Sequence, residues 1–280
     1  MTTLDPRLTP ARADLAAEHL EGKVKAARYV AGQAMRVVAE VLDLRQGPGS
    51  DKALLTQALY GERLTVYEDE EGWAYVQLAR DHYVGYLPAV GLLPLRAAAT
   101  HKVSVPRSFI YPGASIKHPI MQALPLGARV AVERFVGDFA RLQEGGLIYA
   151  SHLLAVDTPA PDWVAMAEIF LNAPYLWGGK TWSGIDCSGL VQVALQAGGI
   201  EAPRDSDMLQ AFAAEDVATR PRARGDLVFW RGHVGVMRDS ETLLHANGFF
   251  MQVTSEPLAV AMARIAATGG GAVTTMRRVS

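Results

Sequence analysis

The chain is poor in cysteine: its 280 residues hold one, Cys187. A single thiol excludes an internal disulfide framework, and no cluster of cysteines and histidines at zinc-ligand spacing accompanies it. Charge of one sign is equally scarce. Lysine and arginine number 27 against 29 acidic residues, a net charge of −2, so no general attraction to nucleic acid or an anionic polymer is expected. No run reaches the ~18–20 apolar residues of a membrane span. Met1-Thr2-Thr3-Leu4-Asp5-Pro6 lacks the basic and apolar regions of a secretory leader. The expectation is a soluble monomer in the cytoplasm, without membrane or nucleic-acid partner and without metal or cofactor. A lone thiol suits a reducing compartment. What the chain has in quantity is apolar residues, 50 % of the total, enough for substantial cores in two or three domains.

The surroundings of the thiol are informative. Cys187 lies in Gly184-Ile185-Asp186-Cys187-Ser188-Gly189, where a glycine-rich stretch gives way to a helical pattern of Leu190, Val191, Ala194 and Leu195. Asp186 is placed to cap that helix, and Gly198-Gly199 to end it. A thiol at a helix N-terminus feels the positive end of the helix dipole, which favours thiolate. Upstream, Pro174-Tyr175-Leu176-Trp177-Gly178-Gly179 predicts a tight loop whose backbone can approach a ligand, with N–H groups able to hold an oxyanion.

A thiol nucleophile needs a base. Of seven histidines, only His233 and His245 follow the cysteine. His233 opens the strand-like His233-Val234-Gly235-Val236-Met237 after a Trp230-Arg231-Gly232 turn, and His245 ends Thr242-Leu243-Leu244-His245. Two short neighbouring strands predict an antiparallel pair, with one imidazole taking the thiol proton and the other orienting it.

Taken with Gly225-Asp226-Leu227-Val228-Phe229-Trp230, these motifs resemble the NlpC/p60 cell-wall peptidases over roughly residues 158–280. These are papain-like cysteine hydrolases. The resemblance implies an α+β domain with Cys187 as nucleophile, His233 as general base and His245 as the third, orienting residue. It also implies substrate contacts at Tyr175, Trp177, Asp186 and Ser188, and at Asp205 and Ser206, where an Asp-Ser pair binds a free α-amine. Asp205 or Ser206 could equally cap a helix starting near Met208. Asp226 reads as a turn residue. The implied reaction is hydrolysis of the γ-D-glutamyl–diamino acid bond (diaminopimelate or lysine) in peptidoglycan stem peptides bearing a free N-terminal L-Ala, as in peptide recycling. An acyltransferase or amidase using the same Cys–His pair, and a non-catalytic cell-wall-peptide binder, remain as alternatives.

The N-terminal half carries a diverged repeat. Gln57-Ala58-Leu59-Tyr60-Gly61-Glu62 recurs as Gln122-Ala123-Leu124-Pro125-Leu126-Gly127-Ala128, and Gly72-Trp73-Ala74-Tyr75 as Gly137-Asp138-Phe139-Ala140. Short alternating strands with turn residues predict two small β-barrels, at 33–96 and 97–157, that resemble bacterial SH3-like domains. The expected fold is thus two small all-β SH3-like barrels followed by an α+β papain-like catalytic domain. In related peptidases the first such domain narrows the cleft, which makes Glu62 and Tyr83 candidates to meet a cationic substrate group. Leu15, Leu20, Val24 and Ala27 give residues 1–32 a weak helical stripe.

Overall fold

The structure, a computed structural model, describes residues 4–279. It divides into two compact units, Met1–Val156 and Asp157–Ser280.

In the first unit a seven-stranded sheet runs in the order Leu54–Leu59, Val41–Arg45, Val84–Pro88, Trp73–Leu78, Arg63–Glu70, Gln33–Val37, Leu92–Pro94. Alternating apolar residues give it an inner face, on which Val37, Leu44, Leu64, Val76 and Leu87 are buried. The second repeat forms a three-stranded and a five-stranded sheet around a separate core of Val103, Ile110, Leu124, Val130 and Ile148. The repeat is visible in the backbone. Gly61 and Gly127 both take positive φ, +77° and +84°, and Gly72 and Gly137 take +81° and +57°. The two expected barrels are not closed among the described residues. Each strand order ends on two edge strands, and Leu54–Leu59 and Leu92–Pro94 each pair on one side only.

Tyr60 belongs to the first repeat by sequence but is buried in the core of the second. Its hydroxyl donates to Glu144, which is also ion-paired with the buried Arg36. The expected helix in residues 1–32 is replaced by a strand Leu15–Ala17, a single 3-10 turn Glu18–Leu20 and a parallel partner strand Arg28–Val30. Leu15 is fully buried against Tyr75 and Val84. That tertiary burial outweighs a weak local stripe.

The second unit is α+β. Its antiparallel sheet runs Glu215–Asp216, Thr275–Arg278, Leu227–Trp230, His233–Met237, Thr242–Asn247, Gln252–Pro257. Among the described residues four helices accompany it: Trp163–Glu168, Cys187–Ala197, Ser206–Phe212 and Leu258–Ala267. The Cys187–Ala197 helix is buried on all sides through Gln196, so its placement is set by packing rather than by a solvent-facing stripe. No helix of the described residues is long and apolar enough to cross a membrane.

Candidate active site

Asp186 is the N-cap of the cysteine helix, and its Oδ1 accepts the Gly189 N–H at 2.7 Å. Its Oδ2 accepts the Gly178 N–H at 2.7 Å, which ties the glycine loop to the helix start. Arg204 completes the arrangement. It is 1 % exposed and donates to both Asp186 oxygens, at 3.0 and 2.6 Å, and to Ser188 Oγ at 2.8 Å. Asp186 and Ser188, expected as substrate contacts, are therefore engaged in holding the start of this helix. Arg204 was not singled out for this role in the sequence, because its partner lies 18 positions away.

The loop and helix meet at backbone distance. A Cβ at Gly189 would lie 2.4 Å from the Gly179 carbonyl oxygen, and one at Gly179 would lie 2.3 Å from that of Gly184. Only glycine allows this approach.

Cys187 is the first residue of the helix and is 7 % exposed. The N–H groups of Ser188 and Val234 face its sulfur and favour thiolate. Burial works the other way and is the larger effect: with the neighbouring Asp186 charge it pushes the thiol up to about 12. The dipole is legible in the sequence and this opposing burial is not. His233 is pushed down to about 3, first by burial and then by His245 and Arg264, so it rests as a neutral imidazole. Both shifts oppose ionisation of a lone partner. The Val234 N–H that faces the sulfur belongs to the strand His233–Met237, so His233 opens the strand beside the cysteine helix.

The expected antiparallel histidine strands are present. A two-residue turn closed by Gly232, at φ +73°, pairs Trp230 with His233. The next strand pairs Val236 with Leu244, a register that continues to Gly235 beside His245. A Cβ at Gly235 would lie 3.2 Å from that of His245. His233 Nε2 lies 2.8 Å from His245 Nδ1, and His245 Nε2 lies 2.8 Å from Glu256 Oε1. Glu256 is ion-paired with Arg264 of the following helix. Neither Glu256 nor Arg264 was found by reading the sequence. The signal available was an acidic residue on the strand after His245, at a parity that puts both on one sheet face. His245 is buried and is pushed down to about 3 by burial and by Arg264.

Tyr175 is half-buried. Its phenol is held protonated by burial and by the charge of Asp186. Trp177 is 68 % exposed in the same loop. Asp205 stands at the N-cap position of Ser206–Phe212, but its side chain makes no capping hydrogen bond. Its charge acts on Arg204. Asp226 closes a turn by accepting the Ala223 N–H at 2.8 Å and is paired with Arg278. Glu62 and Tyr83 lie in the N-terminal unit, 6 % and 4 % exposed. Glu62 accepts the Leu59 N–H at 3.0 Å, and Tyr83 joins the core of the seven-stranded sheet. Ala128, at the repeat position equivalent to Glu62, is fully buried as well. No group of three or more His, Cys, Asp or Glu among the described residues is arranged to hold a metal ion.

Residues 172–265 match the NlpC/P60 family model, and residues 44–92 match that of the bacterial dipeptidyl-peptidase SH3 domain. The chain is similar to dipeptidyl-peptidase 6 of Lysinibacillus sphaericus, at 26 % identity over 75 % of this chain and 86 % of the relative. It is also similar to the gamma-D-glutamyl-L-lysine dipeptidyl-peptidase of Bacillus subtilis, at 28 % identity over 73 % of this chain and 76 % of the relative. The fold resembles that of an NlpC/P60 family protein from Bacillus cereus, with a TM-score of 0.71 at 20 % identity over 88 % of this chain and 99 % of the other.

Proposed function

We propose that this hydrolase, which carries an SH3 domain followed by an NlpC/P60 peptidase domain, cleaves the γ-D-glutamyl–diamino acid bond of free peptidoglycan stem peptides. The observation that carries the reading is the Cys187 thiol at a helix N-terminus beside a strand that holds His233 2.8 Å from His245.

In this reaction His233 takes the Cys187 proton as the sulfur attacks the amide carbonyl. The protonated Tyr175 phenol and the backbone N–H groups at the start of the helix are the donors for the developing oxyanion. His233 then returns the proton to the leaving amine, and water hydrolyses the thioester. Selectivity for a free N-terminal L-Ala is assigned to Asp205 and Ser206, because a carboxylate beside an ammonium makes a strong charge-assisted hydrogen bond. Trp177 offers an aromatic surface beside the same loop. The cytoplasm is the proposed site of action, where turnover returns free stem peptides and a single unpaired thiol stays reduced.

The test is hydrolysis of L-Ala-γ-D-Glu-meso-diaminopimelate followed by mass spectrometry, beside the same peptide acetylated on its alanine amine, with Cys187→Ser as control. Cys187-dependent cleavage of the free-amine peptide alone is expected. Equal cleavage of both would remove the roles of Asp205 and Ser206. No Cys187-dependent cleavage of either would overturn the peptidase reading in favour of acyl transfer or binding.

A further inference from the structure

The relay does not stop at its second histidine. His245 sits opposite Thr254, and Glu256 is the diagonal neighbour on the same face of the sheet. Glu256 Oε1 is 2.8 Å from His245 Nε2, and it also takes a hydrogen bond from Arg264. Arg264 is itself held, with its guanidinium 4.7 Å from the Phe249 ring centroid and 5.0 Å from that of Phe250.

We infer that Glu256 is a positioning residue that fixes the tautomers of both active-site histidines. An ion-paired carboxylate only accepts hydrogen bonds, so the proton between Glu256 and His245 belongs to His245 Nε2. A neutral imidazole has one N–H, so His245 Nδ1 carries a lone pair. That lone pair requires a donor 2.8 Å away, which is His233 Nε2–H. His233 Nδ1 is then the unprotonated nitrogen, the one able to take a proton from the thiol. Turning either ring to its other tautomer would set two lone pairs or two N–H groups against each other. The Glu256 carboxylate therefore decides, through two rings, which nitrogen of His233 is basic. It also stabilises the imidazolium that forms during attack. The inference rests on the assignment of Cys187 and His233 as nucleophile and base.

The test reads the tautomers directly. Protein labelled with nitrogen-15 in its histidine rings is examined by long-range proton–nitrogen correlation at neutral pH, and single histidine variants assign the signals. Both His233 and His245 are expected as Nε2–H tautomers. Glu256→Gln presents a carbonyl oxygen in the same place and should keep both tautomers, with kcat within about fivefold of the parent. Glu256→Leu removes the acceptor. It should mix the tautomers and lower kcat at least about tenfold with KM little changed, the scale seen when a residue orienting a functional imidazole is lost. A parent His245 carrying its proton on Nδ1 would overturn the inference, as would a folded Glu256→Leu variant with unchanged tautomers and kcat. The parent spectrum and the Gln variant decide the matter if the Leu variant does not fold. Parent spectra with the expected tautomers in a protein that cleaves no stem peptide would uphold the relay and defeat only the substrate reading.

Discussion

At the scale of single residues, the two histidines make stability and activity respond differently to pH. His233 and His245 are each pushed down to about 3 by burial, against about 6.5 in an unfolded chain. Between those values the unfolded chain binds more protons than the folded one, so stability rises with pH across the interval. Their contribution is complete above about pH 6.5 and is lost as pH falls toward 3. The expected outcome is a urea midpoint that declines steadily from pH 7 to pH 4, and a His245→Gln variant should decline less. Activity should behave differently over the upper part of this range. An imidazole of ordinary pKa would cost kcat/KM about tenfold or more between pH 7.5 and 5.5. With His233 held down, the loss of kcat/KM over that interval should stay below about twofold, measured on initial rates with a short peptide. A bell-shaped profile with an acid limb near pH 6.5 would contradict the burial of His233.

At the scale of elements, the start of the cysteine helix depends on one buried ion pair and two glycines. Arg204 neutralises Asp186 while Asp186 caps the helix and holds the glycine loop. Arg204→Met would leave that carboxylate buried without its cation, which should cost about 3–5 kcal/mol in urea unfolding. Arg204→Lys should recover only part of this, because an ammonium cannot match both oxygens. Gly189 gives a case in which two effects compete. Helix propensity alone favours alanine over glycine by about 1 kcal/mol. The added Cβ would sit 2.4 Å from the Gly179 oxygen, a backbone atom with no rotamer in which to move away. Steric conflict should win, so Gly189→Ala is expected to lower both the urea midpoint and kcat/KM. A stabilised variant would show that the loop shifts freely.

At the scale of the whole molecule, the N-terminal repeat has become two cores joined by Tyr60. Leu44 lies in the first core and Leu124 in the second, and both are fully buried. Leu44→Ala and Leu124→Ala should each cost about 2–5 kcal/mol. Because the two side chains share no cluster, the double variant should lose the sum of the two within about 0.5 kcal/mol. Tyr60→Phe removes the hydroxyl that donates to Glu144 while keeping the ring in the second core. Its expected cost is about 1 kcal/mol, read in the same unfolding assay.

Much of the site was legible in the chain itself. Cys187 with Asp186 before it, a run of apolar residues at helical spacing after it, and the Gly198-Gly199 stop are local signals, and each describes a single element. The same holds for the Gly232 turn that pairs Trp230 with His233, and for the turn closed by Asp226. These features follow from backbone conformation and nearest neighbours, which a short window of sequence contains. What the fold decided are properties of pairs distant along the chain. Leu15 became a strand residue because Tyr75 and Val84 were there to bury it. Asp186 and Ser188 were drawn into holding Arg204, 18 and 16 positions away. Glu256 reached His245 only through strand register, and register carried the proton order on to His233. Burial pushes the thiol up against the helix dipole, since desolvation depends on everything packed around a group and the helix dipole depends on the helix alone. The sequence by itself marked the thiol and the two histidines, and the tertiary structure determined their burial and the partners that link the histidines to Glu256.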